Sequence, residues 1–181
     1  MKQFSSRNRI GEKNTIMTPA HLHLFLNHMP IFGTLFGFIL LFLGLTRGNK
    51  ILQKAGLATF VVVALVTIPA FLTGEPAEHL VEDFAGFSHD MAHEHEELGE
   101  KGLIIALILG AISAFLLFLL NKNKHLNYKK GMWGVFALSI ISFLFMMLIG
   151  NHGGKIRRPE LRGAQVETVE NHSDQDISNE D

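Results

Sequence analysis

The 181-residue chain contains no cysteine. That absence excludes disulfides, iron–sulfur clusters, thiolate zinc sites and cysteine nucleophiles. Charge is also scarce. Asp, Glu, Lys and Arg make up 18% of the residues, where soluble domains run to about a quarter. The formal net charge of −1 gives no global bias toward nucleic acid, which is not an expected partner. No nucleophile elbow, P-loop or dinucleotide fingerprint occurs, so the familiar soluble enzyme classes have no support and no reaction can be named.

What the chain does contain is apolar and concentrated. Hydrophobic residues reach 48% and the mean hydropathy is +0.24. They fall in four stretches free of Asp, Glu, Lys and Arg: Ala20–Thr46, Ala55–Gly74, Gly102–Asn121 and Gly131–Asn151. At about 1.5 Å per residue, each is long enough to cross a hydrocarbon layer of about 30 Å. Lipid offers no partner to unpaired backbone, so these spans must be helices, including the strand-like run Ala58–Ala64. The expected fold is all-α, an integral membrane four-helix bundle. Its organisation is a polar extension over 1–19, a membrane domain over 20–162, and an acidic tail over 163–181 whose composition predicts disorder.

Local signals refine the boundaries. Thr18 followed by Pro19 predicts an N-cap and first helical residue. The second helix is expected over about Ile51–Thr73, the third through Leu103–Leu120 and the fourth over about Met132–Gly150. Gly33, Gly37, Gly110, Ala111 and Ala114 allow close helix approach in lipid and favour a packed bundle. The first apolar run exceeds a signal-peptide core and lacks a small-residue cleavage pattern, so it reads as a retained helix, with Met17 an alternative start.

Orientation is finely balanced. The two short loops carry seven Lys or Arg and the opposite side nine, or five if the chain starts at Met17. The expectation is that the short basic loops face the cytoplasm. The termini and the acidic 73–101 loop then lie on the periplasmic side of a bacterial inner membrane.

Ten histidines are the most informative feature. Four crossings bring His21, His23, His28, His79, His89, His93, His95 and His152 to one membrane face. His125 lies on the other and His172 in the tail. His28 is eight residues into the first helix, about 12 Å along its axis. Such a group is expected to face the bundle interior or a cavity, with His21 on the same helix face. His23, His79 and His89 read instead as hydrated interface residues. His89, His93 and Glu97 form one stripe with metal-binding spacing, although acids at a helix start also suit its dipole. His95 and Glu96 point elsewhere. Pro30 and Pro69 free the carbonyls of Leu26 and Leu65 near this end. Gly153-Gly154 predicts a sharp exit that brings His152 over the bundle mouth. Arg157 and Arg158 are candidates to hold a propionate, a phosphate headgroup or the acidic loop.

Four motifs together carry a resemblance. They are His21-x-His23-Leu24-x-Leu26-Asn27-His28-x-Pro30-Ile31, Thr73-Gly74-Glu75-Pro76-Ala77-Glu78, His95-Glu96-Glu97, and Gly153-Gly154-x-Ile156-Arg157-x-Pro159-Glu160. Over about Thr18–Arg162 the chain resembles a group of small, functionally uncharacterised four-span bacterial membrane proteins. The resemblance implies a four-helix bundle with a polar, histidine-bearing face that binds haem or another metal. The histidine expansion around His89–His95, and His152 before the glycines, depart from the usual pattern. The resemblance therefore does not make either a required ligand.

The functional expectation is redox chemistry or metal handling with haem b or a transition metal (iron, copper or zinc). Haem would be held by His28 or His21 opposed to His93, His95 or His152. A non-haem ion would use several histidines with Glu75 or Glu97. The alternative is a non-catalytic accessory subunit of a larger membrane complex. The expected partners are the lipid bilayer and either further copies of the chain or that larger complex. A transporter is disfavoured, because four spans leave little room for a path.

Overall fold

A computed structural model describes residues 18–122 and 128–162. The expected extension over 1–17, the tail over 163–181, His125 and His172 lie outside the described residues. Helix α1 spans Pro19–Thr46, α2 Lys50–Leu72, α3 Gly74–Glu78, α4 His89–Lys122 and α5 Lys129–Lys155, followed by a 3-10 turn at Pro159–Arg162. No strand occurs among the described residues. The protein is an all-α bundle, and α1, α2, α4 and α5 are each long and apolar enough to cross a membrane.

The caps explain where helices start. The Thr18 side chain accepts from the His21 N–H, and proline occupies the first turn of α1. Gly48, at a φ of 64°, turns the chain, and Asn49 Oδ1 then accepts from the N–H groups of Ile51 and Leu52 to start α2. Two expectations are corrected. The loop after α2 contains the short helix α3, which no periodic pattern announces. The Gly153-Gly154 step is no exit at all, since α5 stays helical through it to Lys155.

The four long helices close a ring in which α1 packs on α2 and α5, and α4 packs on the same two. Gly33 and Gly37 let α1 approach α2, facing Val63 and the Phe60 ring, and Gly110 on α4 faces Ala64. Ala111 and Ala114, by contrast, are exposed. The main apolar cluster joins Leu41, Leu57, Phe60, Leu109, Leu116, Met132 and Val135. At its level Thr34, Thr67, Ser113 and Ser139 are buried, and each hydroxyl donates to a carbonyl of its own helix. These four hydroxyls are thus satisfied within their own helices, whereas the buried Ser142 Oγ has no partner among the described residues.

Helix α4 sets the height scale. Its uncharged stretch Gly102–Asn121 accounts for about 30 Å of rise, so His89–Lys101 projects about 20 Å further. Gly102 backs onto Ile149 of α5, and the adjacent Gly150 backs onto Ile31 of α1. Ile31 therefore sits near the apolar boundary, and the first turns of α1 stand beyond it.

Candidate functional site

Beyond that boundary, half-buried imidazoles from three helices gather at the open end of the bundle. His23 points inward from α1, and its Nδ1–H donates to the carbonyl of Ala70 on α2 at 3.0 Å, with the Thr73 hydroxyl at 3.3 Å. His95 points inward from α4 and donates from Nδ1 to the carbonyl of Ile149 on α5 at 3.1 Å. His152 on α5 donates from Nδ1 to the carbonyl of Leu148 at 3.1 Å, with Nε2 4.0 Å from a carboxylate oxygen of Glu94. His95 lies within electrostatic reach of both His23 and His152.

A carbonyl can only accept, so each of these contacts puts the ring proton on Nδ1. In the neutral ring Nε2 is then a free electron pair, the state in which imidazole binds a metal. Among the described residues, no protein group is bonded to Nε2 of His23 or His95. One turn below His23, Asn27 Oδ1 is buried without a hydrogen-bond partner. An orphaned acceptor in a dry place costs about 1–3 kcal/mol unless something binds it. Nε2 of His23, Nε2 of His95 and Oδ1 of Asn27 are acceptors without a donor among the described residues, which suits a cation.

The remaining expected site residues are placed differently. His28 is exposed on the outer face of α1 among Leu24, Phe25, Met29 and Phe32, its Nδ1–H held by the Leu24 carbonyl at 2.8 Å. Of the two placements expected, the bundle interior or a cavity, the first is corrected, and the hollow that His28 lines is a groove on the outer face of the helix. Three residues outward of Ile31, it lies near the edge of the apolar layer, where an ionisable ring needs no inner cavity. His21 shares that outward side, as the spacing implied, and contacts the Thr18 hydroxyl at 2.9 Å. His93 and Glu97 pair with each other on the exposed side of α4 at 3.5 Å, and Glu97 also reaches Lys101. Glu75 is exposed on α3, 4.0 Å from His79. The Arg157 guanidinium sits over the Phe84 ring, 4.9 Å from its centroid, while Arg158 is exposed. Of the residues expected as ligands, the structure pairs His93 with Glu97 on the exposed side of α4 and puts His95 within electrostatic reach of His152.

His23 is the residue that sequence reasoning passed over. A signal existed: His23, Asn27, Pro30, Thr34, Gly37, Leu41 and Gly44 follow a strict four-three spacing, and the last five are buried. Among the described residues, no group of three or more His, Asp or Glu side chains is drawn together closely enough to hold a metal ion. No protein-family model, curated protein or solved structure matches the chain.

Proposed function

We propose that this chain is a small membrane protein that binds a transition-metal ion at this end of its bundle, in redox chemistry or metal handling. The observation that supports the reading is the shared anchoring of His23 and His95. Each gives its Nδ1 proton to a carbonyl of a neighbouring helix and keeps Nε2 free. Imidazole nitrogen suits copper, zinc and iron. His152, Asn27 Oδ1 or water would complete the shell, and Glu94 beside His152 adds negative charge at its edge.

A bare ion fits this end better than haem does. Phe71 lies against Gly99, Ile31 against Gly150 and His95 against Gly153. A porphyrin disc would have to force these helices apart, whereas a single ion needs far less space and only a rearrangement of side chains. The basic short loops orient the site toward the periplasmic side of an inner membrane in this proposal. Further copies or a larger membrane complex are its natural setting.

The test is metal analysis and a visible spectrum of protein purified from its own host without chelators or affinity tags. Stoichiometric copper, zinc or iron is expected, lost in His23→Ala and His95→Ala and kept in His21→Ala. A haem absorbance band would replace the ion with haem. Neither metal nor haem would leave the accessory-subunit reading in its place.

A further inference from the structure

Helix α5 carries Gly150, Gly153 and Gly154 near its end yet stays helical to Lys155. Glycine is the poorest helix former after proline, so these positions need a reason other than helix formation. Gly154 shows none, since nothing lies within 4 Å of where its Cβ would be. Gly153 shows one. A Cβ there would sit 2.9 Å from Cε1 of His95, 3.3 Å from Nδ1 and 3.4 Å from Nε2. The imidazole occupies the space that any other side chain would fill.

The same ring donates to the carbonyl of Ile149, one turn earlier on α5. Notch and acceptor therefore come from a single helix, a turn apart. We infer that Gly153 is a positioning residue for His95: its missing side chain seats the ring so that Nδ1 carries the proton and Nε2 keeps its electron pair for a metal ion. The metal part of this inference rests on the function proposed above, and the seat itself does not. An alanine at 153 meets a rigid ring rather than the end of a flexible chain. His95 must then shift, and we expect the displaced ring to loosen its hold on the Ile149 carbonyl. Gly74 differs, because a Cβ there meets Cε1 of His23 at an ordinary 3.5 Å.

The experiment is nitrogen NMR of the full chain, labelled with ¹⁵N-histidine and held in detergent, for wild type, Gly153→Ala, Gly154→Ala and Gly74→Ala. His95→Gln assigns the signal. Wild-type His95 is expected as the Nδ1–H tautomer with a bare Nε2. Gly153→Ala should shift His95 toward the Nε2–H form while His23 keeps its signal, and the other two variants should match wild type. In a parallel zinc titration, Gly153→Ala should bind at least tenfold more weakly.

An unchanged His95 tautomer in Gly153→Ala overturns the seat, whatever zinc does. A tautomer that responds in a protein that binds no metal keeps the seat and removes the metal reading. If Gly153→Ala fails to fold, the double variant His95→Ala with Gly153→Ala should fold again, because the obstacle is gone. Failure of that double variant overturns the seat.

Discussion

The ring of His23 is tied to the main-chain carbonyl of Ala70 across the α1–α2 boundary at 3.0 Å. A second donor is in reach, because the Thr73 hydroxyl, 2.8 Å from the Pro69 carbonyl, also lies 3.1 Å from that of Ala70 and can turn to it. Removing the imidazole therefore leaves the carbonyl satisfied. His23→Leu is expected to cost about 1 kcal/mol or less, at the low end for a lost hydrogen bond. Thermal unfolding in detergent measures it. A loss of several kcal/mol would mean that Thr73 does not take over.

Asn27 should trade stability for binding. Its Oδ1 is buried without a partner, so Asn27→Leu removes an unpaid desolvation cost of about 1–3 kcal/mol. Metal-free Asn27→Leu is expected to melt no lower than wild type and to bind zinc more weakly. A large drop in melting temperature would show that the amide already has a partner.

Helix approach through glycine gives a sharper stability test. A Cβ at Gly37 would lie 2.7 Å and 2.9 Å from carbons of the buried Phe60 ring. Overpacking of this kind costs about 1–3 kcal/mol. Gly37→Ala should lower the melting temperature clearly, and Gly154→Ala, with open space around it, should not. Equal behaviour of the two would contradict the packing of α1 on α2.

The absence of cysteine makes the height scale easy to check, because single cysteines report without background. Positions 28, 97 and 101 should react with a membrane-impermeant maleimide, since His28, Glu97 and Lys101 are exposed at or beyond the boundary. Positions 108 and 115, within the uncharged stretch of α4, should stay unlabelled in the membrane. Labelling at 108 would place the boundary too far out.

Reporter fusions test the orientation. A reporter in the 122–130 loop should behave as cytoplasmic and one at position 163 as external. One crossing, α5, separates them, so the same behaviour at both would break the four-span topology.

The spans were legible because lipid leaves a helix little choice: a long uncharged stretch must pair its own backbone. Thr18 and Pro19 likewise marked the start of α1 by local chemistry alone. The inward face was harder to read. In an apolar helix the usual contrast between oily and polar sides is missing, so His28 drew attention by its depth. The deciding pattern was the spacing from His23 to Gly44, where small and polar residues, with Leu41 the one large aliphatic among them, mark the buried side. The histidine on α4 was visible, but not its seat. Gly153-Gly154 reads as a turn in sequence, and only the neighbouring ring explains why glycine persists in a helix there.

Unequal helix lengths have a consequence for how His23 is enclosed. At the end with the short loops, the four walls finish nearly level, and Lys54 of α2 bonds Asn121 of α4 at 2.6 Å. At the other end α2 stops at Leu72, while α4 runs outward from Gly99, beside Phe71, to His89. The rim is notched on the α2 side, and the segment crossing that notch begins with the five-residue α3. On that side the His23 ring is bordered by Thr73 and Gly74 at the start of this short helix, so a change in α3 can reach the ring without disturbing any spanning helix.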